Sequence, residues 1–391
     1  MDDRKTKECN TDKMKVKSIP STNHLVTLIL ILLTFLFICI PFGMGPFHLF
    51  GQTPTKINLE KFPVKKTHKK PVVAIIGENQ YTELTDFLIP YGVLKRAEIA
   101  EVSLIAPNKG RMDMFPTLSI EITDSIADFD RLYPEGADIV IVPAIHNSNN
   151  KIIIHWIQNQ NKLGATIVGI CDGVWTLAHA GLLKDKHATG HWYSLPDLSK
   201  SFKDTIWTKN KRYLQDKDVI TTAGVTASLP ISLAIVESIA GFRKAKDIAR
   251  ELGISNWDST HNSDVFHFGW DEYSTAAMNL TFIWNYETIE IPIYQGIDEI
   301  SVALVADAYS RTYKSKAMVV TSPNQSIVTK SGIRFVSDAN KEDQNQGLLS
   351  KKIAKETKPV DELKKTLLEI ENRYGLKTLR FVTTQMEYPT L

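Results

Sequence analysis

One cysteine of this 391-residue chain stands in a setting that favours nucleophilic chemistry. Residues 168–175 read VGICDGVW, and the residues around Cys171 predict a buried strand that runs directly into a helix. Gly-x-Cys-x-Gly at such a junction is the cysteine form of a nucleophile elbow, in which Gly169 and Gly173 allow close backbone packing. The elbow places the thiol at a helix N-terminus, where the dipole lowers the pKa of a thiol. The sequence therefore predicts a reactive thiolate; the alternative is a buried structural cysteine.

Backbone amides and one histidine are candidates to assist this thiol. The N–H of Asp172 follows the nucleophile and would point toward an oxyanion formed there. A second donor would come from Ala144 or Ile145, which follow a predicted strand over 138–143. His191 lies twenty residues beyond the cysteine, and a histidine near a thiol can act as general base or stabilise a thiolate. These residues predict a site in which the cysteine attacks an electrophilic carbon.

Other residues near the predicted strand ends are candidates for substrate contact. His146 follows the strand over 138–143 and either touches substrate or is an ordinary loop histidine. Trp192 either lines the pocket or packs against it. His261 and His267 lie in a segment rich in acidic residues, but their spacing fits no standard zinc pattern. We therefore expect neither a metal ion nor another cofactor.

The elements that must hold this site alternate between strands and helices from Pro71 onward. Short apolar runs such as VVAIIG at residues 72–77 are typical of strands buried on both faces, and helical spacing follows them. This alternation predicts an α/β fold, a three-layer, doubly wound, mainly parallel sheet with helices on both faces. Ligands bind such sheets beyond the carboxyl ends of the strands, which is where the elbow would lie.

A second α/β run begins near residue 285. Its order of IEIPIY, a helix and MVVTSP matches the opening VVAIIG, a helix and VSLIAP, with comparable spacing. We interpret residues 285–391 as a degenerate, smaller α/β repeat without a cysteine, ending in a helix over 360–374 and a strand over 378–383. A chance likeness of two βαβ openings is the alternative. The predicted boundaries are a basic cytoplasmic tail (1–23), a transmembrane anchor (24–47), a basic linker (48–70), the first α/β domain (71–241), a connection (242–284) and the repeat (285–391).

Charge and hydropathy set the N-terminal region apart. Residues 1–70 carry 12 Lys and Arg against 5 Asp and Glu, whereas residues 71–391 carry 34 against 39, so the main body is acidic. An acidic body argues against a nucleic-acid partner. Residues 25–47 are uncharged and long enough to cross a bilayer as an uncleaved helix; a cleavable signal peptide is the alternative. Because more basic residues lie close before this run than close behind it, we expect a single-pass membrane protein with an extracytoplasmic soluble part.

The stretch IVGICDGVWTLAHAGLLKDKHATGHW resembles the signature of the ThiJ/PfpI family, which has the flavodoxin-like fold of the class I glutamine amidotransferase-like superfamily. The likeness continues in PYGVLKRAEIAEVSLIAP and VITTAGVTASLPISLAIVESIAG and covers about residues 71–241. It implies that Cys171 is the nucleophile, that His191 is its partner, and that Asp86 on the first helix hydrogen-bonds the thiol. Beside a thiolate, such a carboxyl stays protonated because the like charge raises its pKa. The family's dimers imply a homodimer, or a repeat that mimics the partner subunit.

The sequence differs from the family pattern at three points, and each difference bears on which of the family's functions we expect. Asp172 stands where a protease-type member carries histidine, and Asp86 is shorter than the glutamate of the deglycase branch. We find no helix-turn-helix pattern after the domain, although AraC-type regulators of the family have one. We therefore predict a Cys-dependent hydrolase, hydratase or glyoxalase/deglycase-like enzyme acting on a small carbonyl or amide substrate. The alternatives are a non-catalytic sensor or binding module, related to the domain of AraC-type regulators, and an interaction protein whose repeat supplies the partner surface.

Overall fold

The structure, a computed structural model, describes residues 59–281, 286–321, 327–337 and 347–388. The predicted tail and the predicted anchor over residues 24–47 lie outside these ranges. Among the described helices, none is long and apolar enough to cross a bilayer.

The secondary structure alternates between strands and helices, as the sequence pattern predicts. The described strands are β1 (Val72–Ile76), β2 (Gln80–Glu83), β3 (Glu101–Ala106), β4 (Gly110–Phe115), β5 (Ser119–Ile122), β6 (Asp124–Ser125), β7 (Ile139–Val142), β8 (Thr166–Gly169), β9 (His187–Ala188), β10 (Ile206–Trp207), β11 (Tyr213–Asp216), β12 (Val219–Thr222), β13 (Glu287–Pro292), β14 (Ser315–Val320) and β15 (Gly347–Ser350). The described α-helices are α1 (Leu84–Ala97), α2 (Ile126–Leu132), α3 (Lys151–Lys162), α4 (Gly173–His179), α5 (Leu195–Ser201), α6 (Ser228–Ala240), α7 (Phe242–Leu252), α8 (Trp270–Thr281), α9 (Glu299–Ser310), α10 (Pro359–Tyr374) and α11 (Leu376–Met386).

The central sheet has seven strands in the order β11-β12-β8-β7-β1-β3-β6. Its neighbouring strands are parallel except for the antiparallel pair of β11 and β12. Val73 and Ile75 of β1 belong to a core with α1 and α6, whereas Ala74 and Ile76 belong to a second core with α3 and α4. Helices therefore cover both faces, which explains why β1, β7 and β8 are buried throughout. The predicted three-layer, mainly parallel α/β fold is confirmed.

The winding of the chain fixes where a ligand can bind. From β1 the chain goes first to β3 on one side and later to β7 on the other side of β1. A crevice opens at such a switch point, beyond the carboxyl ends of the strands. The segments that follow β1, β7 and β8 meet there.

The C-terminal part forms a smaller parallel sheet of its own. Strand β13 pairs with β14 on one side and β15 on the other, and helix α9 packs against α1 of the first domain. The predicted strand over 378–383 is wrong, because these residues lie inside α11. Leu379, Val382 and Met386 recur at helical spacing and are buried, so their periodicity is that of a helix rather than a strand.

Candidate active site

The elbow predicted around Cys171 is present. Strand β8 ends at Gly169 and helix α4 begins at Gly173, so the cysteine lies in the turn between them. Its φ is +53°, in the left-handed region that a residue other than glycine adopts only at a cost. A Cβ at Gly173 would lie 2.2 Å from the carbonyl oxygen of Val142, so only glycine fits where the turn passes the end of β7. The N–H of Cys171 donates to Oγ1 of Thr222 at 3.1 Å and fixes the turn to β12.

A cavity of about 660 Å³ lies above the cysteine. The thiol residue is buried, with 5% of its surface exposed, yet it borders this space. Most of the residues predicted from the sequence line the same cavity, namely Ala144, Ile145, His146, Asp172 and His191. The structure therefore brings the predicted site together.

The thiol is not the low-pKa thiolate that its place at a helix N-terminus predicts. Burial raises the pKa of Cys171 well above its ordinary value, and the neighbouring carboxyl groups of Asp86, Asp172 and Glu83 raise it further. Deprotonation of the thiol therefore requires a base within the site.

Two of the three predicted oxyanion donors line the cavity and have backbone N–H groups that are unpaired in the described part of the chain. Among the described residues, the N–H groups of Asp172 and Ile145 have no hydrogen-bond acceptor. The third predicted donor, Ala144, instead points its N–H at Oδ2 of Asp86, at 3.4 Å. The carbonyl oxygen of Ala144 accepts from the N–H of Glu83 at 2.8 Å, which holds the loop after β7 in place.

Asp86 is buried beneath the site but makes no hydrogen bond to the thiol of Cys171 in the described structure. Its Oδ1 accepts from the Ser228 hydroxyl at 2.8 Å, and in the described structure Cys171 Sγ has no hydrogen-bond partner. Burial, followed by the charge of Glu83, raises the pKa of Asp86 well above its ordinary value. The resemblance attributes a raised pKa at this position to a neighbouring thiolate, whereas here the largest cause is burial.

Glu83 is a site residue that the sequence reasoning missed. It is the N-cap of α1, accepts the N–H of Asp86 at 2.6 Å and the hydroxyl of Thr85 at 2.9 Å, and borders the cavity. Burial and the charge of Asp307 raise the pKa of Glu83 to about 7. The available signal was its place directly before α1, one turn ahead of Asp86.

His191 borders the cavity, but other groups occupy both of its ring nitrogens. Nδ1 accepts from the N–H of Tyr193 at 3.2 Å, and Nε2 lies 3.2 Å from the carbonyl oxygen of Gln385. This network assigns the ring proton to Nε2, which donates to that carbonyl. A role as proton carrier for the thiol therefore requires the ring to release one of these partners.

The two candidate substrate contacts differ in their placement. His146 lines the cavity, with its ring 5.6 Å from the ring of Tyr81. Trp192 does not line it, because its backbone N–H donates to Oε1 of Glu387 at 2.8 Å and its indole N–H donates to the carbonyl of Thr384 at 3.1 Å. Trp192 therefore holds the end of α11 rather than a substrate.

A second residue that the sequence did not reveal is Glu387, which is 1% exposed. Its Oε2 accepts from the N–H of Gly224 at 2.9 Å and lies 3.0 Å from Nε2 of His261, while Oε1 lies 4.0 Å from Nε2 of His191. Burial raises the pKa of Glu387, but the contacts with His261 and His191 outweigh it, so the pKa is lowered. An ionised carboxylate therefore ties the C-terminal helix to the floor of the site.

The C-terminal part also supplies a wall of the cavity. Arg311 and Gln385 line it, and both lie outside the first α/β domain. Nε of Arg311 donates to both carboxylate oxygens of Asp307 at 2.9 and 2.8 Å, and Nη2 donates to Oε1 of Glu83 at 2.7 Å. The site is therefore built from both parts of the described chain.

A cysteine on a strained elbow, at the carboxyl edge of a doubly wound parallel sheet, defines a protein with the glutamine amidotransferase-like fold. Residues 70–238 match the DJ-1/PfpI family. The chain therefore contains a DJ-1/PfpI family domain.

Relatives whose names describe different functions share this region. The chain is 29% identical over 100 residues to HTH-type transcriptional regulator CdhR of Pseudomonas aeruginosa, covering 26% of this chain and 30% of the regulator. It is 25% identical over 171 residues to isonitrile hydratase of Pseudomonas putida, covering 43% of this chain and 72% of the hydratase. It is 24% identical over 176 residues to protein dj-1beta of Drosophila melanogaster, covering 44% of this chain and 90% of that protein. The crystal structure of Drosophila melanogaster DJ-1beta matches 48% of this chain and 100% of its own, with a TM-score of 0.43 and 21% identity.

The shared length is short for some relatives. The chain spans 30% of CdhR, 54% of Drosophila protein DJ-1alpha and 52% of the regulator GlxA of Rhizobium meliloti. The family domain is therefore common to all of them, whereas their activities as whole proteins are not.

Proposed function

We propose that this protein is a Cys-dependent enzyme, a hydrolase, hydratase or glyoxalase/deglycase-like protein, acting on a small carbonyl or amide compound. The supporting observation is the strained Cys171, held at φ +53° beneath a cavity of about 660 Å³ and beside two free N–H groups. A cavity of this size suits a small molecule, and backbone strain of this kind persists where the surrounding structure enforces it. The isonitrile hydratase among the relatives supports an enzyme.

The first step of the proposed reaction is addition of the thiol to the carbonyl carbon. The carboxylate of Glu83 accepts the proton of the Cys171 thiol while the sulfur forms a bond to carbon. The electron pair of the C=O double bond moves to oxygen, and the N–H groups of Asp172 and Ile145 stabilise the resulting oxyanion. Protonated Glu83 then returns its proton to that oxygen, which gives a thiohemiacetal. His191, once released from Gln385, carries protons in the later steps.

Replacing Glu83 by glutamine is expected to lower kcat/KM by about 10²- to 10³-fold, because a glutamine caps the helix but cannot take a proton. Only the ionised carboxylate is a base, and the pKa of Glu83 is raised to about 7. The wild-type rate should therefore rise with pH through this value, and the variant should lose that limb of the profile. The pH dependence of kcat/KM measures both effects. Glu98→Gln, at the exposed far end of the same helix, is the matched control; an unchanged profile in Glu83→Gln would exclude this base.

A substrate panel tests the proposal directly. The full-length chain is incubated with methylglyoxal, an alkyl isonitrile and small amides, and consumption of each is followed together with the intact mass of the protein. We expect turnover of at least one compound and an adduct that maps to Cys171. The absence of both turnover and adduct across the panel would contradict an enzymatic role.

A non-catalytic sensor or binding module is the second candidate, and the protonation of the site favours it. The raised pKa of Cys171 and the occupied nitrogens of His191 describe a thiol that is mostly protonated at neutral pH. The relatives include transcriptional regulators of the helix-turn-helix type, and the matched region covers only part of each. Tight binding of a small ligand that survives Cys171→Ser without turnover would support this function. Residues 71–391 carry a net negative charge, so we retain the prediction that the chain binds no nucleic acid.

We further propose that the C-terminal part is a degenerate copy of the first domain. Strand β13 pairs in parallel on both sides, as β1 does. Asp86 and Ser301 are each the third residue of the packed helices α1 and α9. Gly241 joins α6 to α7 at φ 85° and ψ 165°, and Gly375 joins α10 to α11 at φ 85° and ψ 164°. The copy covers the face of α1 in place of a partner subunit.

A membrane location remains our proposal from the sequence. It depends on the uncharged run over residues 25–47, which lies outside the described part of the chain.

A further inference from the structure

The cavity above Cys171 contains one fixed arginine that the family domain does not supply. Arg311 follows α9, outside residues 70–238, and its side chain is 8% exposed. Asp307 holds its Nε and Glu83 holds its Nη2, so the guanidinium plane is fixed. Nη1 has no hydrogen-bond partner among the described residues. One nitrogen of a preorganised cation therefore remains available to a ligand.

The carboxyl groups around Arg311 carry less negative charge near neutral pH than their number suggests, because burial raises the pKa of Asp307 as well. The titratable groups that face it are Glu83, Asp86, Asp307 and Tyr313, together with the thiol. Burial raises the pKa of Asp86 well above its ordinary value and that of Glu83 to about 7, so Glu83 is only partly ionised at neutral pH. Arg311 itself stays protonated, because the charges of Asp307 and Glu83 outweigh the effect of burial on its pKa. A further anionic partner would therefore bind through Nη1, the nitrogen that Asp307 and Glu83 leave without a partner.

The arginine and the predicted nucleophile face the same space. Arg311 and Cys171 border the same cavity. The ring of Phe115 lies 5.8 Å from the guanidinium carbon and borders the same space. A carboxylate that accepts from Nη1 would lie beside the ring of Phe115, with the rest of a small molecule extending toward the thiol.

We propose that Arg311 binds the carboxylate of the substrate and thereby places a neighbouring carbonyl carbon over Cys171. The substrate class is then a small carbonyl compound that carries a carboxylate, such as a 2-oxo acid. The chemistry at Cys171 rests on the function proposed above, whereas the binding of the carboxylate does not.

Paired alkylating reagents test this subsite without any knowledge of the substrate. Iodoacetate and iodoacetamide deliver the same carbon to a thiolate, with iodide as the leaving group, and differ in the carboxylate. In full-length chain with Cys9→Ser and Cys39→Ser, Cys171 is the remaining thiol. The ratio of the iodoacetate rate to the iodoacetamide rate cancels the ionisation of the thiol. We expect Arg311→Gln to lower this ratio about tenfold, as the loss of a charged hydrogen bond would.

Two further variants separate recognition from folding. Arg311→Lys keeps the charge but loses the planar fork, and should give an intermediate ratio. Arg373→Gln removes a surface arginine that pairs with Glu287, and should leave the ratio at the wild-type value. An unchanged ratio in both Arg311 variants would overturn the proposal.

A binding measurement covers the case in which neither reagent reaches the thiol. Oxamate carries a carboxylate beside a carbonyl, and oxamide is its uncharged counterpart. We expect oxamate, but not oxamide, to raise the melting temperature of the wild type and of Cys171→Ala, to raise that of Arg311→Lys by less, and to have no effect on Arg311→Gln. Equal responses to the two compounds would overturn the proposal. Binding without turnover would instead retain the subsite and contradict the enzymatic function.

Discussion

Replacing Cys171 by serine is expected to lower kcat/KM by at least about 10³-fold for any carbonyl substrate that the protein turns over. A serine hydroxyl is a far weaker acid than a thiol and a much poorer nucleophile toward a carbonyl carbon unless a dedicated triad activates it. The cavity and the free N–H groups of Asp172 and Ile145 are unchanged by the substitution. The loss should therefore fall on kcat, with little change in KM.

The matched control is the double variant Cys9→Ser and Cys39→Ser, which removes the other two cysteines and should retain wild-type kinetics. Cys171→Ala should match Cys171→Ser, because neither side chain can attack. Steady-state kinetics on all four proteins, with circular dichroism to confirm folding, decide the matter. If Cys171→Ser kept a tenth of the wild-type rate, another group would have to be the nucleophile.

Replacing Glu387 by alanine is expected to lower the free energy of unfolding by about 3–5 kcal/mol. The substitution leaves the buried N–H groups of Trp192 and Gly224 without their acceptor, and His261 loses its carboxylate neighbour. Urea denaturation measures the loss, and the melting temperature should fall by roughly 5–10 °C. Glu251→Ala, at an exposed position of α7, is the control and should change stability by less than about 0.5 kcal/mol.

The pH dependence of this effect has a definite sign. The pKa of Glu387 is lowered in the folded state, so its contribution is present above the unfolded value of about 4.3 and is lost as the pH falls through the folded value. The difference in stability between the wild type and Glu387→Gln should therefore shrink as the pH falls below about 4. A difference that stayed constant down to pH 3 would mean that the carboxylate charge contributes nothing.

The sequence alone predicts the first domain and its elbow well, because both depend on local signals. The apolar runs around β1, β7 and β8 predict buried parallel strands. The two glycines beside Cys171 predict a turn with no room for a Cβ. The carboxyl ends of parallel strands meet at one edge, so Ile145, Asp172 and the thiol could be brought together without coordinates.

The remaining part of the site depends on contacts between residues far apart in the chain. Arg311 meets Glu83 across 228 positions, and Glu387 meets Gly224 across 163. A single sequence contains no signal for such pairings. The protonation of the thiol was predicted wrongly for the same reason, since the helix dipole is local whereas burial and the surrounding carboxyl groups are properties of the assembled fold. The strand predicted over 378–383 failed because a short apolar stretch is ambiguous between strand and helix.

The division of the cavity between two stretches of chain separates two kinds of evolutionary change. Mutations that reshape residues 307–387 would alter which molecules are admitted, while the turn that presents the sulfur stays intact. Two proteins that descend from one ancestor and keep the same elbow can therefore bind different small molecules. Conversely, a fragment trimmed to residues 70–238 would lack Arg311 and with it the selectivity that we propose for the cavity.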